Sequence, residues 1–512
     1  MRSSFRILFF TFTIALYSCG GTKRSTTEAV NNIKFEINLL DRSNDTYKVT
    51  VIPPTLTKVN SIYQFASTAP GTYQVMDIGR YVKAFKALDK DGNELKTTQI
   101  STNQFQLTSP ENISKIEYEI SETWDTPVVE NKIYLMCGTS IENDHTLING
   151  QAVFGYFKEK QDSPITIKLD YPETWTVGTP LTKNTAGLYY AEDYDKVVDS
   201  PFLLGNLTKA SMNIQGTNVD IYTYSKTGLV TSSDVLESMK NMLLSASGFL
   251  NGLPVKNYTF LFHFEDSTNG AWEHSYSSEY IYREDKWENL EQQVVEVAAH
   301  EFFHVVTPLN IHSEIVEQFN FITPVPSRHL WLYEGTTEWA SHMMLFRSGL
   351  KSTEDYFKML SRKIMIDSNY FDKKVSLEEL SLTSYTKKGS KQYGNIYMRG
   401  ALVAGLLDIK LLELSDGKRG YIDVINDLAK EYGPNKPFDD ATFFKTFAQK
   451  TYPEIKSFID KYIVNATPLP IKEYYNKIGV DYNPINKTFS LNASPSAEQL
   501  KLRTKWMAPI IL

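Results

Sequence analysis

A short segment of the chain concentrates residues that can bind a metal; it reads AHEFFHVVTPLNIH, from Ala299 to His312. Within it, His300 and His304 lie four residues apart, and Glu301 follows the first of them. On a helix, positions i and i+4 are about 40° apart around the axis, so both imidazoles can reach one ion. This is the H-E-x-x-H pattern of zinc peptidases, in which two histidines bind zinc and the glutamate acts as base on the metal's water.

A catalytic zinc takes three protein ligands, so a further residue is needed. The metzincin pattern places a histidine six residues after the second one, with a glycine between them. Here those two positions hold Asn310 and Thr307, and His312 comes two residues late behind a proline. His312 is therefore a poor match. Glu334, in the later segment HLWLYEGTTEW, is the better candidate, because a carboxylate on a second helix can complete a His₂Glu site.

The residues that follow Glu334 support this choice. Gly335 comes next, and its missing side chain permits close approach of another segment. Glu338 lies one turn later on the same helix face, and we expect it to orient a histidine rather than bind the metal. The other interpretation of Glu338 is an ordinary solvated helix carboxylate.

The elements that must position these residues change along the chain. Segments such as IKFEINL, TYKVTV and KIEYEI alternate apolar and polar residues, which predicts strands, and no long helical periodicity occurs before about residue 230. Further on, Val219–Ser225 and Asn257–Glu265 read as strands, Ser232–Leu250 reads as a helix, and the chain after Trp287 is mostly helical.

These patterns predict a multidomain α+β chain. We expect an N-terminal antiparallel β-sandwich-like domain over residues 33–205 and a thermolysin-like catalytic domain with the zinc site over residues 206–345. Residues 346–470 would form a mainly helical part of the catalytic region, and residues 471–512 a C-terminal tail with little periodic signal.

The first residues predict export. Arg2 and Arg6 form a positive region before the apolar run Ile7–Leu16, which is too short to span a bilayer but typical of a secretory signal. Cys19 follows where a bacterial lipoprotein carries its lipid. We predict a signal peptide over residues 1–18, a linker over 19–32 after lipidated Cys19, and a lipid-anchored protein of the bacterial cell envelope, periplasmic or at the surface. The alternative is an ordinary signal peptide with an incidental cysteine.

The bulk composition excludes other classes. The chain has 42% hydrophobic and 22% charged residues, which is typical of a folded globular protein. Its net charge of −7 gives no general affinity for nucleic acid, so no nucleic-acid partner is expected. There are two cysteines, and if Cys19 carries lipid, Cys137 has no disulfide partner. The oligomeric state is left open.

Several ordered motifs resemble the glycyl aminopeptidase family of zinc metallopeptidases, within the gluzincins. HEFFH is followed by WLYEG; before them stands GAWEH, where that family has Gly-Gly-Leu-Glu-His, and after them IYMRG, where it has Tyr-Tyr-x-Lys-Gly. The family's Pro-Gly-x-Tyr stretch and Phe-x-Ala-x-Asp run are matched in PGTYQVMDIGRYVKAFKALD, Pro70–Asp89. The resemblance covers roughly residues 33–480.

The resemblance implies an aminopeptidase with one Zn²⁺ per chain and peptides as substrates. Glu273 resembles the glutamate that binds the substrate's free α-amino group, and Gly270 and Ala271 lie on the edge strand that would hold the substrate backbone. Tyr397 resembles the tyrosine that donates a hydrogen bond to the tetrahedral oxyanion, with Tyr393 one turn earlier as the alternative.

The chain departs from the family's pattern in two ways. No PDZ pattern is recognisable in the last forty-odd residues, so we predict no PDZ domain. Trp272 and Ala271 replace smaller residues, which leaves the family's preference for Gly or Ala at the substrate's N-terminus open. Two other functions stay possible: a zinc endopeptidase, and a catalytically silent binding lipoprotein of the envelope.

Overall fold

The computed structural model describes residues 32–267 and 270–510. The predicted signal peptide, the lipidated Cys19 and the linker as far as residue 31 lie outside the described residues. Within them the chain is mixed α+β, with a β-rich N-terminal part and a mainly helical C-terminal half, which confirms the predicted fold class. The predicted domain boundaries stay predictions.

The N-terminal part of the described chain is built from short strands that alternate buried and half-exposed residues, as IKFEIN does in the first of them. The strands are β1 Ile33–Asn38, β2 Thr46–Ile52, β3 Ile62–Gln64, β4 Val82–Leu88, β5 Glu94–Leu95, β6 Thr97–Ser101, β7 Gln104–Leu107, β8 Lys115–Ser121, β9 Ser140–Ile141, β10 His145–Ile148, β11 Tyr156–Phe157, β12 Ile165–Asp170, β13 Thr176–Gly178, β14 Thr182–Lys183, β15 Tyr189–Ala191 and β16 Phe202–Gly205. Two short helices interrupt them, α1 Gly150–Val153 and α2 Tyr194–Val198.

These strands form one eight-stranded sheet and two four-stranded sheets. Their orders are β14-β15-β12-β1-β2-β8-β4-β5, β13-β16-β10-β9 and β11-β3-β7-β6. Pairing is antiparallel except between β1 and β12, which run parallel with Ile33 opposite Ile165. The sequence predicted an antiparallel domain, and the β1–β12 pair is an exception. A parallel pair needs a long crossover connection, and the more than one hundred residues between these two strands provide one.

The catalytic half begins with a five-stranded sheet of order β17-β18-β19-β21-β20. Its central strands β18, β19 and β21 are parallel and its two edge strands pair antiparallel. A helix crosses between the first two parallel strands, as parallel pairing requires. The elements are β17 Thr208–Ile214, β18 Thr217–Ser225, α3 Ser232–Leu250, β19 Asn257–Glu265, β20 Gly270–Glu273 and β21 Ser277–Arg283.

Helices then cover this sheet and continue to the end of the described chain. They are α4 Trp287–Phe303, α5 Glu314–Glu317, α6 Thr336–Arg347, α7 Thr353–Tyr370, α8 Leu377–Leu382, α9 Lys387–Ser390, α10 Asn395–Leu414, α11 Tyr421–Glu431, α12 Phe443–Lys450, α13 Glu454–Ile459, α14 Ile471–Lys477 and α15 Ala497–Trp506, with a hairpin of β22 Val480–Asn483 and β23 Thr488–Leu491 before the last. None of the helices in the described residues is both long and apolar enough to cross a bilayer.

Each half has its own large apolar core, and two features join the halves. Trp272 of β20 and Phe321 pack into the core of the N-terminal part. A smaller core lies between the two halves and combines Leu147 and Leu203 with Leu261 and other residues of the five-stranded sheet. The predicted tail is likewise folded onto the catalytic half, since Tyr475 and Trp506 belong to that half's core.

Candidate metal centre and substrate cleft

The zinc-binding motif lies at the C-terminal end of α4. The helix packs against the core through Val294, Ala298 and Phe302, which are buried at helical spacing. The opposite face presents His300 and His304, which are buried as well. The i, i+4 spacing predicted from the sequence therefore brings the two imidazoles together, with ring centroids 5.0 Å apart.

Glu334 reaches the same point from the second helix. It lies in a π-helical turn, Trp331–Gly335, that leads directly into α6. Its Oε2 is 3.5 Å from Nε2 of His300 and 3.5 Å from Nε2 of His304. These three residues form one of the groups of potential metal ligands found among the described residues. A π-turn shifts the side chains by one position, so sequence periodicity alone does not place Glu334 on the inward face.

The hydrogen bonds of the two imidazoles test whether this group suits a metal. Nδ1–H of His300 donates to Oε2 of Glu338 at 2.7 Å, and Nδ1–H of His304 donates to the carbonyl of Thr307 at 3.0 Å. Each ring therefore turns its Nε2 lone pair toward the shared point. Tetrahedral ligands about 2.0–2.1 Å from zinc are about 3.4 Å apart, which matches the observed 3.5 Å between imidazole nitrogen and carboxylate oxygen. The residues fit a zinc ion.

Glu338 is surrounded by nitrogen groups that hydrogen-bond to it. Oε1 of Glu338 accepts hydrogen bonds from Nε2 of His342 at 3.1 Å and from Nζ of buried Lys363. Burial opposes ionisation, but Lys363 and His342 together hold the pKa of Glu338 well below its usual value of 4.5. An ionised carboxylate thus orients His300. Lys363 was missed by the sequence analysis, because a lysine in a helix usually faces solvent.

Glu301 occupies the same face as the two histidines without belonging to their ligand group. Burial, with the charges of Glu334 and Glu338, raises the pKa of Glu301 to about 7 against the opposing effect of His300. Burial lowers the pKa of His304 to about 4, so this imidazole is neutral near pH 7. A carboxyl group poised near neutrality beside a metal site is suited to accept a proton and return it.

The edge strand β20 brings a further carboxylate to the cleft. Glu273 lies within 4.8 Å of Glu301 and His304, measured between their ligand atoms. Burial and the charges of Glu334 and Glu301 raise the pKa of Glu273 well above 4.5. Gly270 and Ala271 stand on the same strand and line the same cavity.

The N-terminal part also reaches this carboxylate, which the sequence did not predict. Gly71, in the Pro-Gly-Thr-Tyr stretch, lies against Glu273: a Cβ added to Gly71 would be 2.5 Å from Oε1 of Glu273 and 2.8 Å from Nε1 of Trp272. Its φ of +75° is itself a conformation that favours glycine. Tyr73 lies close by and packs against Tyr393 with ring centroids 5.3 Å apart.

Tyr397 comes from α10, which crosses the Glu334 turn. Its ring centroid is 5.6 Å from that of His300, and its hydroxyl is 3.4 Å from the hydroxyl of Tyr393. Burial and Glu334 raise the pKa of Tyr397 well above 10, so the phenol keeps its proton and can donate it in a hydrogen bond. Both tyrosines line the cleft of about 320 Å³ that contains the metal ligands.

His312 lies apart from the metal ligands. Its Nε2 donates to Oε2 of Glu317 at 2.5 Å, and the residue is 4% exposed. It belongs to none of the potential metal-ligand groups found in the described residues. Instead it lines a second cavity of about 410 Å³, which meets the first at Glu273 and Trp272.

Comparisons with known proteins agree with this architecture. Two family models match: the Peptidase M61 N-terminal domain over residues 34–206 and the M61 glycyl aminopeptidase over residues 293–403. No curated protein matches the chain.

Solved structures show a shared fold. An aminopeptidase N family protein from Idiomarina loihiensis is 22% identical with a TM-score of 0.77, covering 88% of this chain and 78% of that one. A mutant of an M1 zinc metallopeptidase from Deinococcus radiodurans, bound to a Tyr-Ser-Ala substrate, is 14% identical with a TM-score of 0.54, covering 86% of this chain and 95% of that one.

Proposed function

Because the chain belongs to the M61 glycyl aminopeptidase family of zinc metallopeptidases, we propose that it removes the first residue from peptides with a free α-amino group. The observation that carries this proposal is the position of Glu273. Its buried carboxylate stands at the end of the edge strand, close to Glu301 and His304. An ammonium group bound there would pair with the ionised form of this carboxyl group, which burial otherwise disfavours, and fix the first peptide bond beside the metal ligands.

We assign the metal to His300, His304 and Glu334, one zinc ion per chain at this centre. Zinc bound there would supply Lewis-acid polarisation of the substrate carbonyl. Glu338, held ionised by Lys363, orients the ring of His300.

The chain's own groups carry the proton transfers. Glu301 accepts a proton from the attacking water, whose oxygen bonds to the first peptide carbonyl carbon. Tyr397 donates a hydrogen bond to the oxyanion that develops on that carbonyl. When the carbon–nitrogen bond breaks, Glu301 delivers its proton to the leaving amine, so the carboxylate is regenerated.

The substrate backbone lies along β20 in this proposal. Edge strand β20 pairs with β21 on one side only, so its other side has backbone groups to offer to an extended peptide. Gly270 has no side chain and Ala271 has only a methyl group, so both leave room for that peptide. The buried Trp272 stands at the junction of the two cavities and would limit the size of the first side chain, which favours small residues.

The test uses zinc-loaded protein and a panel of aminoacyl amides and tripeptides, each with and without N-acetylation. We expect hydrolysis of the free-amine substrates alone. Glu273→Gln should lower kcat/KM by roughly 30-fold or more, because the ammonium loses its charged partner. Glu192→Gln is the matched control, since Glu192 is exposed and lines only the neighbouring cavity.

Two other results would favour different functions. Hydrolysis of the acetylated and free substrates at equal rates would identify an endopeptidase. Stoichiometric zinc without hydrolysis of any peptide would identify a silent binding protein.

We also propose that Cys19 is lipidated and anchors the protein to the cell envelope; LYSCGG after an apolar run supports this. Incorporation of labelled palmitate into the wild-type chain and its loss in Cys19→Ser would support the anchor. An unlabelled wild-type chain would contradict it.

A further inference from the structure

A second group of metal-ligating side chains lies away from the substrate cleft. His145 and His263 are each 1% exposed, and their Nε2 atoms are 3.0 Å apart. Oε2 of Glu265 lies 3.8 Å from Nε2 of His145 and 3.7 Å from Nε2 of His263. None of the three residues lines either of the two cavities that meet at Glu273.

We propose that His145, His263 and Glu265 bind a second divalent metal ion, for which two imidazoles and one carboxylate favour zinc. Tetrahedral zinc ligands are about 3.4 Å apart. The three separations here, 3.0, 3.7 and 3.8 Å, average close to that value and need shifts of a few tenths of an ångström.

The hydrogen bonds around His145 repeat those of the catalytic centre. Nδ1–H of His145 donates to Oδ1 of Asp144 at 3.0 Å, just as His300 donates to Glu338. The hydroxyl of Tyr224 donates to the other oxygen of Asp144 at 3.0 Å. This fixes the tautomer of His145, so its Nε2 presents a lone pair to the group.

A simple hydrogen bond between two histidines is the competing interpretation. It accounts for the 3.0 Å contact between the rings, but not for the nearly equal approach of Oε2 of Glu265 to both nitrogens. Lys226 pairs with the other oxygen of Glu265 at 3.2 Å, which leaves Oε2 free for the shared point. All three ligand atoms can direct a lone pair at one point when both imidazoles are neutral, which is the arrangement that an ion requires.

The site would join the two halves of the molecule. His145 lies on β10 in the N-terminal part, whereas His263 and Glu265 lie two residues apart on β19, with their side chains on one face of the five-stranded sheet. The small core between the halves lies around these strands. An ion here would cross-link strands that are 118 residues apart in sequence, which stabilises their contact.

Solvent can reach the site from one side. The side chain of Glu265 is 18% exposed and that of Asp144 is 57% exposed, whereas both imidazoles are covered. An ion can therefore enter past Glu265 without unfolding of the sheet.

Zinc stoichiometry tests the proposal independently of peptidase activity. Wild-type protein, loaded with zinc and desalted, should hold two ions per chain by elemental analysis. His145→Gln and Glu265→Gln should each hold one and keep wild-type hydrolysis. His304→Gln, in the catalytic centre, should also hold one ion but lose hydrolysis, and His145→Gln with His304→Gln should hold none.

Unfolding gives a second measurement. Zinc should raise the unfolding temperature of His304→Gln, and should not raise that of the double variant. Glu265→Gln guards against misfolding, since Glu265 is partly exposed and its loss leaves both histidines in place. One zinc per wild-type chain, or two zinc ions retained in both His145→Gln and Glu265→Gln, would overturn the proposal.

Discussion

Gly335 and Gly400 lie directly against each other where the Glu334 turn crosses α10. A Cβ added to Gly335 would be 2.7 Å from Cα of Gly400, well inside the usual carbon–carbon contact of about 3.5–4.0 Å. The contact is between two backbones, so no side chain can move aside. This pair therefore sets the distance between Glu334, which adjoins Gly335, and Tyr397, which lies about one helical turn before Gly400.

Gly335→Ala should separate the two segments by about 1 Å and displace Glu334 from the histidines, with a fall in kcat/KM of about 100-fold. Gly405→Ala is the matched control on α10, because its added Cβ would meet only ordinary contacts, the nearest at 3.6 Å. Steady-state kinetics and zinc content of both variants check this. Equal activity of the two variants would show that the glycine contact does not position the centre.

Glu301→Gln should keep zinc and lose turnover. The residue is not one of the three metal ligands we assign, whereas a glutamine cannot accept the proton of the attacking water, so kcat should fall by roughly 10²–10⁴-fold. Glu288→Gln, an exposed change on the same helix, should leave kcat unchanged. The measurement is kcat together with zinc per chain; near-normal turnover in Glu301→Gln would remove the base assignment.

Gly71→Ala should impair substrate binding through Glu273. The new Cβ would collide with Oε1 of Glu273, so KM for free-amine substrates should rise while zinc stays bound. Gly92→Ala separates this collision from backbone strain. Gly92 has a φ of +82° and no atom within 4 Å of its added Cβ, so both variants have a similar conformational cost of about 1–2 kcal/mol. Equal KM values for the two variants would mean that strain alone matters.

The local geometry of this site follows from the sequence. His300, Glu301 and His304 are placed by one helix, and a spacing of four residues determines their geometry. The helix Ser232–Leu250 was predicted with the bounds that the structure has, because its turns repeat a regular apolar pattern. Glu334 could be singled out because it lies just before a second helix, and Glu338 because it lies in the first turn of that helix.

Contacts between distant segments could not be predicted from these patterns. Nothing in the Pro-Gly-Thr-Tyr stretch shows that Gly71 touches Glu273, about two hundred residues later. Lys363 has the sequence pattern of a solvated lysine but is 4% exposed beside Glu338. His145, the one histidine outside residues 263–342, meets His263 only because two separate sheets pack against each other. Such contacts depend on topology, and helical or strand periodicity carries no information about it.

Tyr397→Phe and Tyr393→Phe should separate the two candidates for the oxyanion donor. Tyr397 lies nearer the metal ligands, with its ring 5.6 Å from that of His300, whereas Tyr393 packs against Tyr73. Loss of the Tyr397 hydroxyl should lower kcat by roughly 10²–10³-fold with little change in KM, since the hydrogen bond forms in the transition state. Tyr393→Phe should change kcat by much less. The reverse order would assign the role to Tyr393.

The pH dependence of the protein's stability involves a carboxyl group outside the metal centre. Burial raises the pKa of Asp408 from its usual 3.8 to about 6, although its Oδ1 accepts a hydrogen bond from the backbone N–H of Tyr421 at 2.7 Å. A folded pKa above the unfolded one means that the stabilisation is complete below about pH 4 and is lost as pH rises through about 6. The shift corresponds to roughly 3 kcal/mol.

Asp408→Asn should remove this loss, because an amide keeps the acceptor for Tyr421 and does not ionise. The difference in unfolding temperature between the variant and wild type should therefore be larger, in favour of the variant, at pH 8 than at pH 5. Asp416→Asn is the control: Asp416 is exposed, and Lys501 lowers its pKa, so its stabilisation is present at high pH and the substitution should give no gain at pH 8. The measurement is thermal unfolding of the three proteins at both pH values. If the unfolding temperature of Asp408→Asn exceeded that of wild type by the same amount at pH 5 and pH 8, Asp408 would already be ionised in the folded protein at pH 5.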